Sequence, residues 1–575
     1  MPVHEGILIE RDVSIPMDDG ISIKCDVFRP KDGQPAPVIM TLGPYAKGAP
    51  YSVQFAPQWK WLVGTHPDML PGSSRELMNW ETADAEMWVP LGYVCIRVDS
   101  RGAGRSPGRL DIFSPREIRD YHDAIEWAAA QPWSTGKVGL NGISYYAINQ
   151  WLVASLQPPH LACIIPWEGA GDFYRDFGRH GGIQSNAFVD TWFNRQVVST
   201  QHGNPNSILD PWLNERISGP ASLGDDELKQ NRADPVEDIL HRPLDGEWYR
   251  ERSPDWSKVK VPFLSAASLG GHGLHARGNF EAFTQAASSQ KWLETHTGRH
   301  EELFYLTEGM ALQQRFLDHF LKGAENGWDR EPPVLLSLRK PFTDAVEHRK
   351  ECSWPLTGTQ WTKAYLNSSN TELLWDPTTT DCSVSFKALE TNVTFRSQPL
   401  RFETEITGPI ALKVFAASTT TDLDLFVTFQ AFSPNGREVD FQGTIDPHTP
   451  LSQGWLRASH RKLDTKKTLA YRPYHSHDEL QPLTPGEIYE LDIELWPTSI
   501  VLPAGFEIAV HIGGKDFERP LPPDVPNEAW VARGSGPWLH NHKKDRPSDV
   551  FGGTTTLFTG GQHQSYLYLP VIQKD

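Results

Sequence analysis

The first third of the chain alternates short apolar runs with amphipathic stretches. Helices are predicted over Tyr121 to Ala130 and from about Ser144 to Leu156. Buried strands are predicted at VIMTLG (38–43), YVCIRVD (93–99), KVGL (137–140) and LACIIPW (161–167). Apolar strands separated by crossover helices are typical of a parallel sheet with helices on both faces. The pattern therefore predicts an α/β core whose first part covers residues 1–168.

This alternation stops near Gly169 and returns only at VPFLSAA (261–267). The intervening stretch, 169–256, is rich in aromatic and charged residues and has no regular strand pattern, so we interpret it as a helical cap inserted into the core. The second part of the core is expected over 257–331. Its elements are a helix around Asn279–Ala287, a strand KWLETH (291–296) and a helix from Gly309 to Lys322 that ends at Gly323.

Beyond residue 331 the chain consists of short segments in which apolar and polar residues alternate, separated by Gly and Pro. Examples are DLDLFVTFQAF (422–432), EIYELDIELWP (487–497) and FEIAVHIGG (506–514). Period-two alternation with turn residues between the segments predicts an antiparallel sandwich or jelly roll over 332–575.

Composition limits the functions to be considered. A chain of 575 residues is too long for one hydrophobic core, in agreement with several domains. The net charge of −18, without any run of Lys or Arg, argues against nucleic acid or an anionic membrane as a partner. The N-terminus lacks a signal-peptide pattern and no apolar stretch reaches membrane length, so we expect a cytoplasmic protein.

The cysteines and paired histidines give no sign of a metal or a cofactor. The five cysteines (Cys25, Cys95, Cys163, Cys352 and Cys382) are scattered, without CxxC spacing. His272 and His275 lie close together but lack a matching carboxylate or Cys set. We expect no metal and no cofactor.

Ser144, in NGISYYA (141–147), is a candidate nucleophile. It lies between the predicted strand KVGL and a predicted helix, and a GxS match indicates a nucleophile only in this strand–turn–helix context. Gly142 relieves crowding at the turn. A serine hydroxyl becomes reactive only with a base, an acid that orients the base, and donors for the oxyanion. The alternative is that Ser144 merely caps the helix, a position that favours serine.

Two longer stretches carry a family resemblance. DSRGAGRSPG (99–108) and DYHDAIEWAAAQPWSTGKVGLNGISYYA (120–147) resemble the α/β-hydrolase family of cocaine esterase, Xaa-Pro dipeptidyl peptidase and α-amino ester hydrolase. Tyr145 matches the tyrosine that follows the serine in this family, and Ala147 stands where the family often has glycine. Further similar stretches, in the same order, are GPYAKG (43–48), WYRERSPDWSKVKVPFL (248–264), FLDHFLKG (316–323), GWLRASHR (454–461) and LDIELWPTSIVLPAGFEIAVHI (491–512).

The resemblance implies an α/β-hydrolase core with a cap and a C-terminal jelly roll, and a serine hydrolase activity. It also implies that Tyr45 donates its hydroxyl, and Tyr145 its backbone N–H, to the oxyanion. Tyr45 is otherwise a packed aromatic residue with a satisfied hydroxyl.

The resemblance places the base in the loop after the strand KWLETH. His300 is in register with the family's histidine, and His296 is the competitor. We favour His300, because a residue beyond the strand can reach the carboxyl edge of the sheet, whereas His296 is still within the strand.

The orienting acid departs from the family pattern. Gly271 stands where the family has aspartate, and no aspartate occurs between Asp255 and Asp318. Because the requirement is geometric, another carboxylate can serve. Our hypothesis is that Glu168, after the strand LACIIPW, orients His300. The alternatives are Glu301, Glu302 and Asp172, or a Ser–His dyad in which Glu168 is structural.

We therefore expect a serine hydrolase that acts on an ester, lactone or amide acyl group of a small molecule through Ser144. Phe173 and Trp192 are expected to line the substrate pocket, although the cap aromatics equally suit a core of the cap itself. The rival hypothesis is a hydrolase-fold protein with an impaired triad that binds a small molecule or catalyses a rearrangement or acyl transfer. A homodimer is a further expectation.

Overall fold

The computed structural model describes residues 6–343, 345–519 and 534–573. Within these ranges the chain forms two large sheets, one in each half. The first holds the α/β core and the second the C-terminal domain. The predicted fold class is confirmed.

The first sheet is mixed and has ten strands in the described part of the chain. They are β1 (Ile7–Pro16), β2 (Ser22–Pro30), β3 (Ala36–Gly43), β4 (Val94–Asp99), β5 (Ser134–Ile143), β6 (Leu161–Trp167), β7 (Phe263–Ser268), β8 (Lys291–His296), β9 (Val334–Leu338) and β10 (Glu347–Glu351). Their order across the sheet is β1-β2-β4-β3-β5-β6-β7-β8-β9-β10. Strands β3 to β9 are parallel, so their carboxyl ends lie at one edge, where α/β folds bind ligands.

Helices connect the strands of this core and continue into the inserted segment. The α-helices of the described residues are α1 (Tyr51–Gln54), α2 (Ala56–Thr65), α3 (Ala85–Trp88), α4 (Pro115–Ala129), α5 (Tyr145–Ser155), α6 (Asn186–Trp192), α7 (Asp225–Gln230), α8 (Pro235–Leu240), α9 (Glu247–Arg250), α10 (Arg277–Gln285), α11 (Glu302–Tyr305), α12 (Thr307–Lys322) and α13 (Ser548–Phe551). Helix α12 ends, as predicted, at Gly323, which has a left-handed conformation (φ +70°).

Two boundaries differ from the sequence prediction. Helix α4 begins at Pro115, six residues before the predicted start, because the Ser114 side chain accepts the Glu117 N–H and Pro115 suits the first turn. The core sheet also continues past residue 331, since β9 and β10 pair with it. The predicted domain boundary at 331/332 therefore lies before the last strands of this sheet.

The inserted segment, 169–256, contains short helices rather than long ones. Besides α6 to α9 it has π-helical turns at Phe173–Gly178 and Phe193–Val197 and a 3₁₀ turn at Val198–Thr200. It also has two small hairpins, which the sequence prediction did not include: Arg179–His180 with Ile183–Gln184, and Leu209–Asp210 with Glu215–Arg216.

The second sheet has eleven strands among the described residues. They are β11 (Thr359–Asn367), β12 (Glu372–Leu374), β13 (Cys382–Lys387), β14 (Asn392–Ser397), β15 (Thr404–Ser418), β16 (Asp424–Phe432), β17 (Ser452–Arg457), β18 (Tyr489–Leu502), β19 (Glu507–Gly513), β20 (Thr554–Thr559) and β21 (Tyr566–Ile572). Their order is β13-β20-β15-β18-β17-β16-β19-β14-β12-β11-β21, and an additional pairing of β15 with β21 curls the sheet into a barrel-like sandwich around its own apolar core. This closure gives β21 a neighbour on each side, while β13 stays at the edge of the sheet.

A buried carboxylate ties the inserted segment to the C-terminal domain. Asp545 lies 2.8 Å from Arg179 of the inserted segment and 2.9 Å from Arg457 on β17. These guanidiniums outweigh the effect of burial and hold the pKa of Asp545 well below its usual range.

The described residues form no helix that is long and apolar enough to cross a membrane.

Replacing Asp545 tests this connection. We expect Asp545→Asn to lower the free energy of unfolding by about 3 kcal/mol, because it leaves the buried Arg179 guanidinium without a carboxylate, whereas Arg457 keeps Asp424. The native carboxylate has a lowered pKa, so its contribution is present above the unfolded pKa of about 3.9 and is lost as the pH falls below it. Thermal unfolding at pH 7 and pH 3 measures both effects. The exposed Asp549→Asn is the control, and equal melting temperatures for the two variants would contradict the assignment.

Candidate active site

Ser144 lies on a sharp strand-to-helix turn between β5 and α5. Its backbone has φ +58° and ψ −114°, a conformation that non-glycine residues rarely adopt. Ser144 occupies the N-cap position of α5, but its side chain makes no capping hydrogen bond, so capping does not account for the hydroxyl. The Ser144 side chain makes no hydrogen bond to any described residue, and the residue is 9% exposed.

Small residues make room for this turn. A Cβ atom on Gly142 would lie 2.6 Å from Cβ of Tyr146, and one on Gly169 would lie 3.1 Å from Cβ of Ala147. The predicted role of Gly142 is therefore confirmed. The turn is held from both sides: the Ser144 N–H donates to the Trp167 carbonyl (3.0 Å), and the Ile143 N–H donates to the Glu81 carbonyl (3.1 Å).

Glu168 and His300 meet at the carboxyl edge of the sheet. Glu168 directly follows β6, and His300 lies in the loop after β8. Glu168 Oε2 is 2.6 Å from His300 Nδ1. The structure thus brings together the two residues that the sequence hypothesis paired, and the carboxylate takes the nitrogen that an orienting acid takes in a catalytic triad.

His296, the competing base, has a different environment. Its Nε2 lies 2.9 Å from Glu168 Oε1, and its Nδ1 lies 2.7 Å from Glu294 Oε2. Glu294 and His296 are two positions apart on β8 and so share one face of the strand. His296 thus holds the second oxygen of Glu168. Because it is a residue of β8 itself, whereas His300 lies in the loop beyond the strand, His300 stays the expected base.

The alternative acids contact other groups. Asp172 accepts hydrogen bonds from the backbone and guanidinium of Arg175. Glu302 pairs with His66 at 2.7 Å, and no hydrogen bond joins Glu301 to His300 in the described structure. Glu168 is therefore the carboxylate that geometry selects for Nδ1.

The charges of the Glu168–His300 pair stabilise each other. Burial alone would raise the pKa of Glu168, but the two imidazoles that face it lower it to about 2. Burial alone would lower the pKa of His300, but the surrounding carboxylates, Glu168 first, raise it to about 10. His300 is therefore strongly inclined to hold a proton in this arrangement.

Tyr45, a proposed oxyanion donor, is buried two residues beyond β3. Its hydroxyl oxygen accepts a hydrogen bond of 2.9 Å from Nε1 of Trp192. A hydroxyl that accepts through its lone pair keeps its own proton for another acceptor. Trp192, expected as a pocket residue, is thus placed where it orients the Tyr45 hydroxyl.

The side chain and the backbone N–H of Tyr145 have different surroundings. Its phenol donates to Glu117 of α4 (2.7 Å), which anchors the side chain away from the turn. As the first residue of α5, its backbone N–H has no acceptor within the helix. That N–H is the group the sequence analysis expected at the oxyanion.

Phe173, the other expected pocket residue, packs among aromatic rings of the inserted segment. It stacks on Phe177 with centroids 4.6 Å apart and meets Phe113 edge-on at 5.7 Å. Phe113 in turn stacks on Tyr145 at 4.1 Å. These contacts agree with the alternative, in which the aromatics form a core of the cap, and a role for Phe173 in substrate binding stays a prediction.

Sequence reasoning missed two groups at His300. Glu81 Oε1 lies 2.9 Å from His300 Nε2, and the His275 ring stacks on His300 with centroids 4.6 Å apart. His275 was considered only as a metal ligand. Glu81 belongs to no motif, and the one available signal was a carboxylate among the aromatic residues of NWETADAEMW (79–88).

The C-terminal domain also contributes to the site. The His300 backbone N–H donates to the Thr444 carbonyl (3.1 Å), and the Thr444 N–H donates to the Gly270 carbonyl (3.3 Å). Trp538 lies edge-on to His275 at 5.8 Å. The loop that carries His300 is thus held partly by the second domain.

Comparison with known proteins agrees with this fold. The model of the X-Pro dipeptidyl-peptidase (S15) family matches residues 19–302, and that of the X-Pro dipeptidyl-peptidase C-terminal non-catalytic domain matches residues 326–568. The crystal structure of a CocE/NonD family hydrolase from Staphylococcus aureus superposes with a TM-score of 0.83 and 31% identity, covering 98% of this chain and 94% of that one.

Two curated relatives match nearly as much of the chain. Cocaine esterase of a Rhodococcus species is 22% identical, over 98% of this chain and 99% of its own. Xaa-Pro dipeptidyl-peptidase of Lacticaseibacillus casei is also 22% identical, over 91% of this chain and 74% of its own.

The fold, the turn at Ser144 and these relatives define a serine hydrolase with an α/β-hydrolase core. The chain belongs to the CocE/NonD family of hydrolases, as the resemblance implied.

Glu168→Gln tests the orienting acid. A carboxamide cannot hold the imidazole in the tautomer that accepts the serine proton, so we expect kcat/KM for an activated ester to fall by about 10³-fold or more. Ester hydrolysis followed by absorbance measures the loss. Glu302→Gln is the control, because that carboxylate contacts His66 instead. Activity of Glu168→Gln within a few-fold of wild type would show the assignment to be wrong.

Trp192→Phe tests the bond to Tyr45. Loss of the indole N–H removes about 1 kcal/mol of hydrogen bonding and leaves the hydroxyl unoriented, so we expect kcat to fall by about tenfold. Steady-state kinetics with the same ester separate kcat from KM. Trp248→Phe makes the same change elsewhere in the inserted segment, and an equal loss in both variants would mean that the Tyr45 contact is not the cause.

Proposed function

We propose that the protein cleaves an ester, lactone or amide acyl group of a small molecule through an acyl-enzyme on Ser144. The observation that carries this proposal is the 2.6 Å contact between Glu168 and His300 beside the strained turn of Ser144. His300 contacts two residues that lie next to this turn. Glu168 directly follows Trp167, whose carbonyl accepts the Ser144 N–H, and the carbonyl of Glu81 accepts the Ile143 N–H.

In the proposed reaction, His300 Nε2 removes the proton of the Ser144 hydroxyl while Oγ forms a bond to the substrate carbonyl carbon. The carbonyl π electrons move onto oxygen, and the Tyr45 hydroxyl and the Tyr145 N–H donate to that oxyanion. The protonated His300 then gives its proton to the leaving group as the carbonyl re-forms. Water, activated by the same imidazole, releases the acyl group in the second half of the reaction.

The charge of Glu168 supports the role proposed for it. Glu168 is buried and ionised, so it stabilises the imidazolium that forms when Ser144 is deprotonated. Each preorganised oxyanion donor in a site shielded from water contributes about 3 kcal/mol to lowering the barrier.

The rival hypothesis, a scaffold without hydrolysis, depended on the missing aspartate near Gly271. Glu168 lies at the nitrogen of His300 where that aspartate was required. The hydrolase proposal therefore has support that the rival lacks.

Labelling with a fluorophosphonate probe tests the proposal. We expect one covalent adduct, on Ser144, because an activated serine attacks the phosphorus centre as it attacks a carbonyl. Intact-mass and peptide mass spectrometry locate the adduct, and Ser144→Ala should carry none. Absence of an adduct on the folded wild-type protein would favour the scaffold hypothesis. A panel of an activated ester, a lactone and an Xaa-Pro anilide then separates the acyl classes.

A further inference from the structure

A second carboxylate lies on the opposite side of the His300 ring from Glu168. Glu81, between α2 and α3, is 2% exposed, and its Oε1 is 2.9 Å from His300 Nε2. In the proposed reaction this nitrogen receives the Ser144 proton. The proposed reaction gives Glu81 no step, yet its carboxylate contacts the nitrogen of the base that would accept the proton.

The backbone holds Glu81 in place as firmly as the other residues of the site. Glu81, Ser144 and Glu168 have φ of +62°, +58° and +51°. Such strain costs about 1–3 kcal/mol per residue and persists where the surrounding structure imposes it, typically at functional sites. The Glu81 carbonyl accepts the Ile143 N–H, and Thr82 forms an antiparallel β-bridge with Gly142. The segment that carries Glu81 is therefore held beside the turn at Ser144.

The contact itself requires a proton. A hydrogen bond between Nε2 and a carboxyl oxygen contains one proton, and without it two lone pairs face each other. His300 Nδ1 also carries a proton, which it donates to the ionised Glu168. The Nε2 lone pair is therefore occupied whichever of the two atoms holds the proton, and it cannot accept the proton of Ser144.

We infer that Glu81 is a positioning residue that occupies Nε2 of His300 in the resting enzyme and sets the pH above which Ser144 becomes reactive. This inference rests on the proposed function, because it concerns the same base.

Activation follows from loss of one proton. When the proton shared by Glu81 and His300 passes to water, the neutral imidazole keeps its Nδ1–H and gains an Nε2 lone pair. Repulsion between this lone pair and the Glu81 carboxylate breaks their contact. Nε2 is then free to take the Ser144 proton as Oγ bonds to the substrate carbon.

The surroundings favour the protonated resting state. Burial raises the pKa of Glu81, and the carboxylates on both sides of His300 raise the pKa of the imidazole to about 10 against the effect of burial. Other titratable and charged groups that face this pair are Glu168 after β6, His275 after β7, His296 on β8, Arg299 and Glu301 beside His300, and Tyr45, Tyr51, Tyr146 and Tyr305. Of these, Glu168 is the carboxylate in direct contact with His300, and it is this contact together with that of Glu81 that favours the proton.

The pH dependence of fluorophosphonate labelling tests the inference. For the wild-type enzyme we expect the second-order rate constant to rise with pH, with a midpoint well above the ordinary imidazole value of about 6.5. Glu81→Gln removes the charge that retains the proton. We expect its midpoint to be lower by about one pH unit or more, so that at a pH below both midpoints the rate, relative to its plateau, is about tenfold higher.

Glu301→Gln is the matched control. Glu301 is a buried carboxylate beside His300 that does not hydrogen-bond to the ring in the described structure, so we expect a smaller shift of the midpoint. An unchanged midpoint in Glu81→Gln would overturn the inference. So would a shift of equal size in both variants, because general charge and not the Nε2 contact would then set the midpoint.

The outcomes separate this inference from the proposed function. Failure of Ser144 to label at any pH in the folded wild type contradicts the proposed function itself. Labelling of Ser144 with no movement of the midpoint contradicts only the role of Glu81. If Glu81→Gln does not fold, Glu81→Asp gives the same test: it keeps the charge but shortens the side chain by one methylene. We then expect a lower midpoint from the weakened contact, and an unchanged one overturns the inference.

Discussion

The proposed active site depends on one buried carboxylate, that of Glu168, which has to remain ionised in a region without solvent. A lone carboxylate there would take up a proton, because burial disfavours its charge. Two imidazoles prevent this: His300 bonds to one oxygen and His296 to the other. The proposed orienting acid is thus held ionised by a second histidine, His296, to which the proposed reaction gives no step.

These contacts belong to a longer hydrogen-bonded chain, which runs from Glu294 through His296, Glu168 and His300 to Glu81. Acids and imidazoles alternate along it, so each charged group has an opposite neighbour. In a buried network of this kind each hydrogen bond polarises its neighbours, so the groups titrate together. Removing any member therefore changes the protonation of the others, and the properties of the base belong to the chain as a whole.

The C-terminal domain does more than cover the core. Its Thr444 carbonyl accepts the backbone N–H of His300, and its Trp538 packs against His275, which stacks on His300. The ion pairs of Asp545 fasten the inserted segment to the same domain. The position of the base thus depends on the packing of both sheets as well as on the local loop.

Sequence alone determined the features that repeat locally along the chain. The alternation of buried strands and helices predicted the α/β core, period-two alternation predicted the second sheet, and the strand–turn–helix context indicated Ser144 as the candidate nucleophile. Glu168 was found from the sequence because the carboxyl ends of parallel strands share one edge, although the family position for the acid is held by Gly271.

Tertiary structure decided which of the candidate groups contact each other. The sequence favoured Glu168 but left Asp172 open, because both residues follow the same strand; only the structure shows that Glu168 contacts His300 and that Asp172 pairs with Arg175. Glu81 could not be found, because it is distant in sequence from Ser144, Glu168 and His300 and is brought to Nε2 only by the pairing of its loop with the nucleophile turn. The spacing of apolar residues shows which positions of a single segment are buried. A hydrogen bond between two segments depends on how the whole chain packs.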